Sequence, residues 1–426
     1  MPDARSVALE TLAHITTDRI EVDEALARTG FSNLDPRERS FAYTLVMTCL
    51  RWGRAADHIL MEYMETLLPE RKQHAKWAMR MGVVQLRVLG TPDHAAVSET
   101  VDLIKSHKAD KAFAGLTNAV LKKVAAERPV MQPRNAFPHW FETNWRESYS
   151  EDDFNAMAHV MVEEPHLDIT VPRDIFTYEK AFAATKMAEM TLRMPAGTSG
   201  ADVAKMQGYH EGAWWVQDAA AALPVQLLGN INGLDILDLC AAPGGKTAQL
   251  VAGGAKVTSI DRSPSRIKRL QENMARLKMT PTIIDADIMK WEPKKTFDAI
   301  LLDAPCSATG TFRRHPEIGW IRGPREHLRL AGIQRDMLER AWTWLKPGGR
   351  LLYAVCSLEP EEGEKQMEWF CEQHANAEVM RPVMSPGIVP AEAWTLKNTL
   401  RILPHYGSDM GGYDGFFAAC IVKKAP

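Results

Sequence analysis

The 426-residue sequence predicts a multidomain α and α/β protein: an all-α bundle at 1–128, a linker and small α/β subdomain at 129–229, and a C-terminal doubly wound α/β domain at 230–426. Three observations predict it. From 6 to 128 apolar residues recur at spacings of three and four, the period of amphipathic helices. Pro129, Pro133 and Pro138 then crowd one short stretch, as at a domain boundary. From Ile236 onward, short apolar runs alternate with helix-period stretches and end in turns of small residues, the pattern of a parallel sheet with crossover helices.

Composition narrows the function classes. A hydrophobic fraction of 46% with 25% charged residues is that of a soluble globular protein. No run approaches the length of a membrane span, and residues 1–10 lack the basic-then-apolar order of a signal peptide, so a cytoplasmic protein without a membrane partner is expected. A net charge of −3 argues against indiscriminate coating of nucleic acid, though a local basic face remains open. The six cysteines are scattered, with neither zinc-site spacing nor a disulfide framework; no metal is expected, and each thiol is core or chemistry. A monomer is expected.

In the N-terminal third, helices are expected over 6–15, 36–52, 58–64, 72–89 and 112–126, with Cys49, Trp52, Trp77 and Met79 as core. Basic residues between and along them, including Arg37, Arg39, Arg51 and Arg54, are either a solvated face or contacts to phosphate. The order Arg5-Ser6-Val7-Ala8-Leu9, Leu34-Asp35-Pro36-Arg37-Glu38-Arg39, Arg51-Trp52 and Thr117-Asn118-Ala119-Val120-Leu121 resembles the NusB-type helical domain, which implies RNA binding. Past the proline-rich stretch, a helix at 152–163, a strand at 167–171, a helix at 178–187 and a strand at 189–193 form the expected small subdomain. Trp214 and Trp215, leading into an alanine-rich helix at 219–228, read as packing rather than base-stacking groups.

The chemistry begins at 236. A buried strand over 236–239 turns through Cys240-Ala241-Ala242-Pro243-Gly244-Gly245-Lys246 into a helix from Thr247. Such a turn strips away side chains so that helix N-terminal N–H groups can approach a ligand beyond the strand's carboxyl end. A second strand over 256–260 ends at Asp261, which fits either the ribose hydroxyls of a nucleoside or a cap for the helix at 263–277. A third strand over 282–284 ends in Asp285 and Asp287, either able to accept from an adenine amino group, with Asp287 preferred. The turn lacks the Gly-x-Gly-x-x-Gly order of dinucleotide enzymes, so S-adenosyl-L-methionine is the expected cofactor.

Two further strands, 297–302 and 350–355, run into Asp303-Ala304-Pro305-Cys306-Ser307 and Cys356-Ser357. In a parallel sheet their ends share one edge, so Cys306 and Cys356 are expected to face the cofactor crevice; Cys49, Cys371 and Cys420 lie in apolar patterns, and Cys240 matters more for its backbone. A carboxylate, two thiols and a methyl donor suit one reaction in particular. A thiolate adding to carbon-6 of cytosine makes carbon-5 nucleophilic, and protonation of ring nitrogen-3, a task for Asp303, stabilises the adduct. Spacing alone does not rank the two thiols.

Leu239 to Thr247, Asp303-Ala304-Pro305-Cys306-Ser307-Ala308-Thr309-Gly310-Thr311 and Cys356-Ser357-Leu358-Glu359-Pro360-Glu361-Glu362 resemble the Sun/NOP family of RNA cytosine-5 methyltransferases. Arg313-Arg314-His315-Pro316, Trp344 to Gly349 and Asp414-Gly415-Phe416-Phe417 add to the match, while Val355, Gly363 and Tyr413 depart from its pattern. The resemblance implies a Rossmann-like methyltransferase domain with Cys356 as nucleophile and Cys306 assisting product release. It also implies cofactor contacts from Cys240, Ala241, Ala242, Pro243, Gly244, Gly245, Lys246, Asp261, Asp287 and Asp303. Together with the NusB-like region it narrows the substrate to small-subunit ribosomal RNA. The target must be single-stranded or flipped out, and Arg313, Arg314, His315, Arg322 and Arg325 are candidates for holding its backbone. Another RNA or tRNA cytosine as target, or a non-catalytic RNA-binding assembly factor, are the alternatives.

Overall fold

The structure, a computed structural model, describes residues 3–198, 202–382 and 389–425. The chain divides into two compact units, one made of 1–163 with a returning segment 312–324, the other of 164–311 with 325–426. The first unit therefore runs past the expected boundary at 128. No helix among the described residues is long and apolar enough to cross a membrane.

The first unit is helical: Ala4–Asp18, Val22–Arg28, Pro36–Tyr63, Gln73–Arg87, Asp93–Ser106, Ala114–Glu127, His139–Ser148 and Glu151–Met161. Its starts are legible. Asp35 caps Pro36–Tyr63 by accepting from Arg37 N and Glu38 N at 2.8 and 2.9 Å, with proline at the first helical position, where its missing N–H costs nothing. The helices expected at 36–52 and 58–64 are one helix, because Gly53 lies inside it as a packing residue: a Cβ there would stand 3.0 Å from both Trp77 and Trp320. The proline-rich stretch is not a free linker either. Ala136 and Phe137 are buried, and the Phe137 ring lies 5.4 Å from Trp145 and 5.0 Å from Phe312, so those prolines turn a chain that packs.

The returning segment carries the short helix Ile318–Ile321. Trp320 donates its indole N–H to the Leu50 carbonyl at 2.9 Å and lies 4.6 Å from the Trp77 ring, with the Arg54 guanidinium over its face at 4.3 Å. Arg51 and Arg54 donate to the carbonyls of Arg313 and Gly319 at 2.9 and 2.8 Å. These two arginines, open to a phosphate role in the sequence, are committed to holding this segment.

In the second unit a small antiparallel sheet comprises β1 (Asp168–Thr170), β2 (Thr185–Ala188), β3 (Thr191–Arg193) and β4 (Trp215–Val216), in the order β2-β3-β1-β4. The helix expected at 178–187 is Ile175–Phe182, and its last residues pair instead as β2. Trp214 and Trp215 are buried, as packing residues should be. Arg193 grips Asp168 with two bonds of 2.8 and 2.7 Å and donates to the carbonyls of Met410 and Gly412. Both side chains are almost fully buried.

The large sheet comprises β5 (Asp235–Leu239), β6 (Lys256–Asp261), β7 (Thr282–Asp285), β8 (Phe297–Asp303), β9 (Leu345–Val355), β10 (Ala377–Met380), β11 (Leu400–Ile402) and β12 (Phe416–Lys423). Its order is β10-β12-β9-β8-β5-β6-β7, with β11 also on β12; β5 to β9 are mutually parallel and β12 is antiparallel to β9. Alternate residues serve opposite faces. Ile236, Ala299, Leu301, Leu352 and Ala354 pack with Ala219–Gln226 on one side, while Leu237, Ile300, Leu302, Leu351 and Tyr353 pack with Glu326–Trp344 on the other. This is a Rossmann-like sheet. Its strand order reverses between β5 and β8, where ligands of such sheets bind at the carboxyl ends.

Candidate active site

The switch point is lined from both sides. After β5 the chain turns through Cys240, at φ +59°, and Gly244, at φ +106°, into the helix Gly245–Ala252. A Cβ on Gly244 would lie 2.5 Å from Leu270, so this position needs glycine for both its backbone and its neighbour. The first N–H groups of that helix have no partner within it, which suits a carboxylate. Beneath the turn Asp238 is fully buried; Thr247 donates to its Oδ2 at 2.5 Å, while Oδ1 has no hydrogen-bond partner among the described residues. Burial, outweighing the Thr247 hydrogen bond, pushes its carboxyl up to about 7. Burial likewise raises the Cys240 thiol to about 12, with Asp261 and Asp303 adding.

Asp261 closes β6 and is 4% exposed. Its Oδ2 accepts from Ala242 N at 3.2 Å and its Oδ1 from Ser263 N at 3.0 Å, so it fastens the glycine turn to its own strand and keeps lone pairs for a hydroxyl. Asp285 pairs beside it at the end of β7 and is exposed; Asp287, half-buried, accepts from Met289 N at 2.9 Å. Helix N–H groups with carboxylates on the next two strand ends form a donor and acceptor set that fits an amino-acid nucleoside such as S-adenosyl-L-methionine. Lys246 reaches elsewhere: its ammonium binds Asp303 Oδ2 at 2.7 Å, joining the glycine turn to the end of β8.

On the reacting side, Asp303 is paired with Ala354 across β8 and β9, and the two cysteine turns follow directly. The sulfurs of Cys306 and Cys356, fifty residues apart, stand 3.5 Å from each other. Cys306 is buried and Cys356 half-buried. The hydrogen bond with Cys356 and burial hold the Cys306 thiol well above its ordinary value. Gly310 N donates to the Cys356 carbonyl at 3.1 Å, and a Cβ on Gly310 would fall 2.0 Å from the Gly415 carbonyl oxygen, so two backbones meet here at a distance only glycine allows.

The sequence alone marks no role for the carboxylate beneath both thiols. Glu362 is fully buried; it accepts from Ser307 N at 2.9 Å, from the Ser307 and Ser357 hydroxyls at 2.5 and 2.6 Å, and from Gln334 Nε2 at 3.1 Å. Ser307 and Ser357 each follow a cysteine. That repeated Cys-Ser pair was the one available signal, and an acid six residues beyond the second was not separable from its surface neighbours. Gly363, a departure from the family pattern, also has a reason: a Cβ there would stand 2.9 Å from the Phe417 ring.

Among the expected RNA contacts, Arg313, Arg314 and His315 lie in the segment belonging to the first unit. Arg313 is corrected outright: it is 1% exposed, with its carbonyl held by Arg51, and offers no surface to a phosphate. Arg314 is half-buried, and His315 is exposed, its Nδ1 3.2 Å from Glu317.

Comparison with known proteins agrees with this frame. Residues 225–422 match the family model "16S rRNA methyltransferase RsmB/F", and 2–126 match the NusB family. A Ribosomal RNA small subunit methyltransferase B of Vibrio cholerae is 33% identical over 408 residues, spanning 91% of this chain and 90% of its own. The protein of that name from Cronobacter sakazakii is 32% identical, spanning 98% and 94%. Among solved structures, PH0851 superposes with a TM-score of 0.76 over 99% of both chains at 21% identity. NSun6 from Pyrococcus horikoshii, solved with SFG, superposes at 0.58 over 68% of this chain and 99% of its own at 19% identity; both likenesses speak to the fold. By sequence the chain belongs to the RsmB/F family of 16S rRNA methyltransferases and carries a NusB-family domain ahead of its methyltransferase domain.

Proposed function

We propose that this protein methylates carbon-5 of a cytosine in small-subunit ribosomal RNA through a covalent adduct between Cys356 and carbon-6, with the NusB-like region 1–128 contributing RNA binding. S-adenosyl-L-methionine supplies the electrophilic methyl group. The observation that carries the reading is the 3.5 Å approach of two thiols at adjacent strand ends, next to a carboxylate tied to the glycine turn.

In this reading the half-buried Cys356 adds to carbon-6 as a thiolate, forming the sulfur–carbon bond. Nitrogen-3 takes a proton through the Lys246–Asp303 pair, and the electron-rich carbon-5 then bonds the methyl carbon as the methyl–sulfonium bond breaks and the thioether leaves. Asp261 and Asp287 would hold the polar groups of the donor's nucleoside, and the helix N-terminus at Gly245 would hold its carboxylate. Once the carbon-5 proton has gone to a base, the sulfur–carbon bond breaks, nitrogen-3 returns its proton, and the Cys306 S–H stabilises the departing Cys356 thiolate. Cys306, kept protonated by its surroundings, is suited to that donor role.

The test is transfer of labelled methyl from S-adenosyl-L-methionine to unmodified small-subunit ribosomal RNA, with mapping of the product base. The expected product is 5-methylcytosine, absent with Cys356→Ala. Methylation at another atom, or full transfer by Cys356→Ala, would overturn the reading.

A further inference from the structure

We propose that Glu362 is a positioning residue for this reaction, a single buried carboxylate that ties the Cys306-Ser307 and Cys356-Ser357 turns together and thereby sets the distance between the two thiols. The inference rests on the covalent reading above. Four donors converge on the Glu362 carboxyl, and three of them come from the serines that follow the cysteines. The donor set suits an ionised acceptor: Ser307 N and Gln334 Nε2 can only donate, and the Ser357 hydroxyl oxygen already accepts from Glu359 N at 3.0 Å, which leaves its hydrogen for Glu362. The scaffold behind it is equally fixed. The Tyr353 hydroxyl lies 2.7 Å from the Glu362 carbonyl and 3.0 Å from Gln334 Oε1. Each partner is fully buried, so each turn has one arrangement that leaves no polar group stranded.

A second consequence is electrostatic. Glu362 and, on β9, Tyr353 are the titratable groups beside Cys306, and the Arg401 guanidinium on β11 binds the Ser357 carbonyl. The hydrogen bond with Cys356 and burial oppose ionisation of Cys306, and the Glu362 carboxylate adds to them.

The experiment compares wild type, Glu362→Gln and Ser307→Ala/Ser357→Ala in the full chain. It measures methyl transfer and, by peptide mass spectrometry across pH, the partition of iodoacetamide between Cys306 and Cys356. Glu362→Gln should lower kcat on the order of 100-fold, the scale of a misplaced reacting group, with KM for S-adenosyl-L-methionine unchanged. It should also move alkylation from Cys356 alone to both thiols, Cys306 reacting at lower pH than in wild type. The double serine variant should lower kcat in the same way and serves if the glutamine variant does not fold. Wild-type kcat and wild-type alkylation in whichever variant folds overturns the proposal, as does a fall in kcat with the alkylation pattern unmoved. Cys356→Ala runs beside them: an active Cys356→Ala sinks the covalent reading itself, whereas an inactive one beside an unaffected Glu362→Gln sinks this inference alone.

Discussion

Asp168 and Glu362 are both sealed in the second unit, at 1% and 0% exposure, and they are neutralised in opposite ways. Asp168 has a cation: the Arg193 fork holds both its oxygens, and Ala219 N donates to it as well. Glu362 accepts from hydroxyls and amides, and burial pushes its carboxyl above the usual carboxylate range against the pull of the Ser307 and Ser357 hydrogen bonds. A buried acid matched by a cation holds elements together, whereas one met only by hydroxyls and amides beneath two thiols is ionised at a cost to stability.

Substitution should therefore move the two in opposite directions. The largest effect lies at the thiols: Cys356→Ala should cut methyl transfer by about 10⁴-fold or more, measured as labelled RNA product, while leaving the fold intact by circular dichroism. Asp168→Asn should cost about 3–5 kcal/mol of stability in urea titration, because it leaves the Arg193 charge buried without its partner, yet the folded fraction should turn over normally. Glu362→Gln should do the reverse. Its folded-state value is raised, so the folded protein binds the proton more tightly than the unfolded chain; the stability this group contributes is present at low pH and fades as pH rises through the folded value. Near neutral pH the glutamine variant should thus be as stable as wild type or more so, while its turnover falls. Equal loss of stability in Asp168→Asn and Glu362→Gln would erase the distinction.

Two smaller effects sharpen it. Gly310→Ala drives a methyl toward the Gly415 carbonyl and should destabilise by about 1–3 kcal/mol, with a further loss of turnover because Gly310 also holds the Cys356 carbonyl. Asp238 has an acid value near 7 when folded and 3.8 as the reference, so its contribution to stability declines as pH climbs between those values. Asp238→Asn should gain on wild type by about 1–2 kcal/mol as urea midpoints are followed from pH 5 to pH 8, a discounted share of the 1.36 kcal/mol per unit that linkage allows. A pH-independent difference would contradict the burial argument.

How much of this was legible in the sequence depends on the range over which each signal acts. The strands β5 to β9 and the glycine turn were readable because apolar runs, small residues and the acids that end β6, β7 and β8 are local signals. Parallel pairing then brings Cys306 and Cys356 to one edge without regard to the fifty residues between them. The helices Val22–Arg28, Asp93–Ser106 and His139–Ser148 escaped, and Gly53 read as a break when it is a contact with Trp77 and Trp320. Arg313 misled for the same reason: charge pattern marks it as a surface group, and only tertiary packing buries it. Glu362 was hidden because its partners, Ser307 and Gln334, lie 55 and 28 residues away in sequence.

The central claim is the bond between one particular sulfur and carbon-6 of the target base. Its most direct test is to incubate Cys306→Ala with small-subunit ribosomal RNA and S-adenosyl-L-methionine, isolate any denaturation-resistant protein–RNA complex, and identify the modified cysteine by peptide mass spectrometry. A nucleotide adduct on Cys356 that is lost when Cys356 is also replaced is the predicted result. An adduct on any other residue, or methylated RNA released at the wild-type rate with no complex, would contradict the account.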